Sequence, residues 1–195
     1  MAIDVAAAET VRERIEDNIR MTRRLLEGEQ LERVAFVAGV ITDAYLNGRK
    51  VVLFGNGGSA ADAQHVAGEF LGRYYLERRS LPAIALADPV PLSAIGNDYA
   101  FADVFARQIE GLGEPGDVAI GISTSGASAN VIRGLEAANT KGMVTVALTG
   151  ARGRRLAEIA DYCIVVPSEE TPRIQEGHIL VCHVLCELVE RELFA

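Results

Sequence analysis

The chain has 195 residues, enough for one domain with a full core. Its 49% hydrophobic and 24% charged composition is that of a globular protein rather than a disordered or fibrous one. A net charge of −8 argues against nucleic acid as a partner, and no apolar run reaches membrane-spanning length, so no membrane partner is expected either.

The acidic, polar N-terminus lacks the layout of a signal peptide, which points to the cytoplasm. The periodicity predicts a helix over about 8–27, with Val11, Ile15, Ile19 and Leu26 on one face and Gly28 as the stop. A second helix is expected over about 30–46, with Val34, Val37, Ala38, Ile41 and Tyr45 inward and Asn47-Gly48 ending it. Two helices before the first strand exceed what a minimal open sheet needs. They either cover one sheet face or also form a subunit interface.

Apolar runs of strand length follow at 51–54, 82–86, 118–122, 143–148 and 162–166. They are continuous rather than alternating, as befits strands buried on both faces of a parallel sheet. Helical patterns lie between them at about 59–73, 101–111, 128–140 and 153–160, and a last helix runs from near Pro172 to Leu193. Strand and helix in alternation give an α/β fold, a doubly wound αβα sandwich with a five-stranded parallel sheet. Ligands of such sheets bind beyond the carboxyl ends of the strands, where the strand order reverses. Without repeat or linker, residues 1–195 read as a single domain.

Two loops carry the chemistry. Gly55-Asn56-Gly57-Gly58-Ser59 joins the first strand to a helix, where backbone N–H groups and the helix dipole attract an anion. It lacks both the dinucleotide spacing and the Lys-Ser/Thr of a P-loop. Ser123-Thr124-Ser125-Gly126-Ala127-Ser128 repeats the layout after another strand, with four hydroxyls and no Lys or Arg. That donor set suits a phosphate monoester on a sugar, although Ser128 also reads as a plain helix N-cap. His65 and Glu69, four residues apart, share a helix face behind the first loop. Asn97-Asp98 reads equally as a sugar-binding loop or as the cap of the helix near Phe101.

The last helix sets Gln175, Glu176, His178, His183 and Glu187 among apolar residues. Five residues of separation turn His178 and His183 about 140° apart, so both cannot easily face one small site. A lone histidine in such a helix is commonly a satisfied core residue. Gln175 lies about 80° round from His183, within possible joint reach. Cys182 and Cys186 read as buried reduced thiols.

Together, the Gly55–Ser59 loop with His65 and Glu69, Ser123-Thr124-Ser125-Gly126, and Arg173-Ile174-Gln175-Glu176 with His183 resemble the sugar isomerase (SIS) fold family, and within it the phosphoheptose isomerases. The similarity covers essentially the whole chain. It implies an aldose–ketose isomerase that converts sedoheptulose 7-phosphate to D-glycero-D-manno-heptose 7-phosphate through an enediolate. It implies Glu69 and His183 as the acid/base pair with Gln175 beside them. Ser59, Ser123, Thr124, Ser125 and Ser128 would hold the phosphate, with Asn56, Arg73, Asn97 and Asp98 near the sugar and Gly57-Gly58 forming the turn beside it. It further implies one zinc ion per subunit on His65, Glu69, Gln175 and His183, and a homotetramer with sites at subunit contacts. Ala127 and Pro172 depart from the family, where Asn and Asp are common. The competing expectation is a non-catalytic tetramer of the same fold that binds the bacterial replication initiator protein. Glu69 and His183 argue against it, since those relatives look to have lost the matching residues.

Overall fold

A computed structural model describes residues 5–195. Helices α1 (Val5–Leu25) and α2 (Gln30–Leu46) precede β1 (Val51–Gly55), α3 (Gly58–Leu71) and β2 (Ala83–Ala85). Then come α4 (Pro89–Asp98), a 3-10 turn (Phe101–Asp103), α5 (Ala106–Leu112), β3 (Val118–Ser123) and α6 (Ala129–Thr140). The chain finishes with β4 (Val144–Gly150), α7 (Arg154–Ile159), β5 (Tyr162–Val166) and α8 (Thr171–Phe194). The five strands are all parallel, in the order β2-β1-β3-β4-β5. This is the doubly wound α/β sandwich the sequence predicts, and the order reverses between β1 and β3.

Continuous apolar runs fill both faces of the sheet. Alternate residues of one strand serve opposite cores: Leu53 meets Ile41, Val66 and Leu185 on one side, while Val52 and Phe54 meet Phe105 and Leu135 on the other. Phe54 and Phe105 pack with their rings tilted, 5.2 Å between centroids. Helices α2, α3 and α8 cover the first face; α5, α6 and α7 cover the second. Cys163, Cys182 and Cys186 are free and buried.

Three expectations change. The stretch after β2 is helical: Asp88 caps α4 by accepting the Val90 N–H at 2.8 Å, and Pro89 opens its first turn. Pro91 and Gly96 hide this helix from a propensity reading. Asn97 and Asp98 therefore end a helix instead of lying in a loop, and Ala100, without a side-chain bond, precedes the 3-10 turn they were expected to cap. The third change concerns α1. Val11, Ile15, Ile19 and Leu26 face outward, 43–63% exposed, and only Met21 and Leu25 are buried. Covering the sheet is the work of α2, whose five expected inward residues are all buried.

That outward stripe gives a first prediction. Deleting residues 1–27 should yield smaller oligomers or aggregate in light scattering, because the stripe is apolar surface left exposed among the described residues. An intact, active oligomer would show the first helix to be dispensable. Among the described residues, no helix is long and apolar enough to cross a membrane.

Candidate active site

Both anion-ready loops sit at the switch point. The first leaves β1 at Gly55, and Ser59, buried, lies in the opening turn of α3. The second leaves the neighbouring strand β3 at Ser123 and enters α6 after Ser128. Asn56 and Asn130 tie them together with a reciprocal amide pair at 2.9 and 2.8 Å. Asn130, buried near the start of α6, had no distinguishing signal in the sequence. The Ser123 and Ser128 hydroxyls meet at 3.0 Å, and the Ala127 N–H donates to Ser125 Oγ at 3.2 Å. Ser128 occupies the N-cap position of α6 without a capping side-chain bond, which leaves its hydroxyl to the loop. Gly126 has φ 64, and a Cβ there would collide with the Gly153 backbone, so the loop's closure depends on this glycine.

The second constellation joins α3 to α8. His65 Nε2 lies 3.1 Å from Glu69 Oε1 and 3.4 Å from His183 Nε2. Ligand-capable atoms of all three residues fall within 4.8 Å of one another. Two imidazole nitrogens and a carboxylate oxygen converging in this way form a cation's donor set. A tetrahedral zinc site, with Zn–N about 2.0–2.1 Å, sets its nitrogens about 3.3–3.4 Å apart, matching the observed His–His separation. Gln175, half-buried, lays its side-chain amide against Gly58, at the first loop. The tertiary structure thus brings together three of the four implied ligands and puts the fourth at the glycine turn.

Asp62 also belongs here, three residues before His65 on α3. Burial pushes its carboxyl up, and the neighbouring His65 and His183 oppose this. Its Oδ2 is buried without a hydrogen-bond partner among the described residues. The i, i+3 spacing to His65 was the available signal. Arg73 is exposed and pairs with Glu77 at 3.8 Å. Asn97 and Asp98 are exposed and bond each other at 2.9 Å. His178 points away from the cluster. It is fully buried and burial pulls its imidazole down to about 4, with the Thr149 backbone opposing this. Among the described residues neither ring nitrogen closes a hydrogen bond of good geometry, so this core histidine is neutral but not satisfied as expected.

A family model, the SIS domain, matches residues 15–150. The phosphoheptose isomerase of Aneurinibacillus thermoaerophilus is 50% identical over 186 residues, 94% of this chain and 94% of the relative. The chain belongs to the phosphoheptose isomerase family. That of Aquifex aeolicus is 59% identical over 160 residues, 82% of this chain and 84% of the relative. Among solved structures, the phosphoheptose isomerase from Neisseria gonorrhoeae superposes with a TM-score of 0.90 at 40% identity, covering 95% of this chain and 99% of that one. One from Francisella tularensis gives 0.91 at 33% identity, with 95% and 98% covered. The chain is accordingly an isomerase, and the reading as a binding partner of a replication initiator finds no support among these relatives.

Proposed function

We propose that the enzyme interconverts the ketose sedoheptulose 7-phosphate and the aldose D-glycero-D-manno-heptose 7-phosphate through an enediolate. The observation that carries this reading is the approach of the Glu69 carboxylate to two imidazoles, His65 and His183, on helices that flank the hydroxyl-rich switch-point loops. The phosphate is bound by Ser59, by the hydroxyls of Ser123, Thr124, Ser125 and Ser128, and by the N-terminal amides of α3 and α6. Anchored there, the sugar presents its other end to the acid/base pair, so binding energy becomes orientation. Glu69 takes a proton from C1 of the ketose, leaving an enediolate, and returns a proton to C2 to form the aldose. His183 moves the proton between the two oxygens. Gln175 and Asn56 hold sugar hydroxyls; Arg73, Asn97 and Asp98, exposed in this subunit, complete the sugar site in the assembly.

Zinc fits His65, Glu69 and His183, with Gln175 as a fourth donor of an uncommon type, and would supply polarisation of the carbonyl oxygen. The proposed assembly is a homotetramer with its sites at subunit contacts, supported by the outward apolar stripe of α1. A cytoplasmic setting accords with three buried, reduced cysteines.

The deciding experiment follows sedoheptulose 7-phosphate by NMR for the appearance of the aldose. No turnover at high enzyme concentration, with and without zinc, would sink the proposal. The hydroxyl loop has its own test. Ser125→Ala should weaken phosphosugar binding by about 1–2 kcal/mol, the loss of one hydrogen bond to a charged group, with little change in melting. Ser125 is exposed, and among the described residues its hydroxyl accepts one bond, from the Ala127 N–H. Unchanged affinity by isothermal titration would remove it from the site.

A further inference from the structure

Glu190 and Arg78 form an ion pair at 2.8 Å, with side chains 2% and 1% exposed. Neither residue faces the phosphate loops, and neither has a part in the chemistry above. Among the described residues, however, their hydrogen bonds beyond the pair itself all end on residues 69–79, the last turn of α3 and the stretch that leads from it to β2. The Glu190 carboxylate accepts the backbone N–H groups of Tyr74, Tyr75 and Leu76 at 2.9, 2.6 and 2.7 Å. The Arg78 guanidinium donates to the carbonyls of Glu69 at 2.8 Å, Phe70 at 2.9 Å and Gly72 at 3.2 Å. Those carbonyls belong to the last turn of α3 and its cap, which have no partners within the helix. A cation at that end also complements the helix dipole.

The pair therefore binds at both ends of a short path. On one side it takes hold of the backbone of Glu69 itself. On the other it fixes Tyr74, whose ring lies 5.8 Å from that of His183 between centroids. Glu190 rides on α8 seven residues after His183, two helical turns along and so on nearly the same face. The Phe194 ring covers the pair from the helix's end, 5.7 Å from the Arg78 guanidinium. We infer that Arg78 and Glu190 are positioning residues for the isomerase reaction, locking the end of α3 that carries Glu69 to the face of α8 that carries His183. The inference rests on the proposed roles of Glu69 and His183.

A buried ion pair stabilises a fold only weakly compared with an apolar replacement, so stability alone is a poor account of this one. Misplacing a catalytic group by about 1 Å can cost about 100-fold in rate, which is the scale at stake. The test is Glu190→Gln in the full-length protein, assayed with zinc in excess. It keeps the size of the side chain and removes its charge. Turnover should fall by about 10–100-fold while KM for the phosphosugar stays within about threefold, because the hydroxyl loops are not involved. Lys50→Met is the control. Lys50 pairs with buried Asp117 at 2.5 Å where β1 and β3 begin, at the end of the sheet away from the site. That variant should lose melting temperature yet keep its turnover number.

Normal turnover per folded molecule in Glu190→Gln overturns the inference, as does an equal fall in the Lys50→Met control. Should Glu190→Gln not fold, Tyr74→Ala is read by the same split. It leaves the ion pair intact and removes the ring braced on His183, and normal turnover there overturns the inference too. Glu69→Gln measured alongside separates the two readings. If it stays active, the acid/base assignment fails; if it is inactive while Glu190→Gln is normal, only the positioning role fails.

Discussion

Replacing Glu69 by Gln, or His183 by Gln, is expected to lower turnover by about 10²–10⁴-fold, the range typical of general acid–base catalysis. Each change keeps the size of the side chain and removes its titrating group. Phosphosugar affinity should move far less, since Ser59 and the Ser123–Ser128 loop lie on other turns of the chain. Stability should hardly change either. Both residues are only partly buried, and the bonds they lose are the His65–Glu69 contact at 3.1 Å and the His65–His183 contact at 3.4 Å. A role confined to packing forecasts the reverse: a lower melting temperature and near-normal turnover. Zinc content is the third readout. If the pair acts mainly as ligands, both variants will lose bound metal, and chelator-stripped wild type will reproduce their kinetics. A metal-replete His183→Gln enzyme with normal turnover would defeat the acid/base assignment.

The second large effect is on stability. Arg78→Ala should cost about 3–5 kcal/mol, because it leaves the Glu190 carboxylate buried without its counter-charge and removes the guanidinium from the Glu69 and Phe70 carbonyls, of which Phe70 keeps the Leu81 N–H. Global unfolding in urea measures it, and a loss below about 1 kcal/mol would mean that solvent reaches the pair. The same site predicts a pH dependence. Burial raises the Glu190 carboxyl, but the N–H groups of Leu76, Tyr74 and Tyr75 and the Arg78 guanidinium outweigh it, and the net shift is downward. The group therefore stabilises the fold fully above the unfolded carboxylate range near pH 4.3, and loses that contribution as pH falls through its lower folded value. Wild type should lose stability more steeply than Glu190→Gln over that acidic window. Parallel curves would show that Glu190 does not carry the effect.

The composition of each segment settled the architecture without tertiary information. Runs such as Val118–Ile122 are apolar at every position, so they can only be strands covered on both faces, and helices must alternate with them to do the covering. The two loops were legible for the same local reason. A glycine or hydroxyl run between a strand and a helix exposes backbone donors wherever the rest of the chain goes. His65 and Glu69 could be paired because a single helix turn fixes their separation.

What tertiary structure decided was everything that depends on distance across the chain. His183 reaches His65 over 118 residues of sequence, and only the packing of α8 against α3 makes them neighbours. The Asn56–Asn130 pair spans 74 residues; the glycine loop marks Asn56, but no local pattern marks Asn130 or the pairing. Glu190 reads in the sequence as one more polar residue near the end of a helix, and Arg78 as a charge in a turn; burial makes them a pair. Helix α4 is hidden in the sequence because Pro91 and Gly96 lower its helical propensity, although Asp88 and Pro89 supply the cap and first-turn residues of a helix start. The periodicity of α1 correctly marked an apolar stripe, but a period specifies only that one face seeks cover, not which surface supplies it. In this subunit the sheet was already covered by α2, and the stripe of Val11, Ile15 and Ile19 was left facing outward.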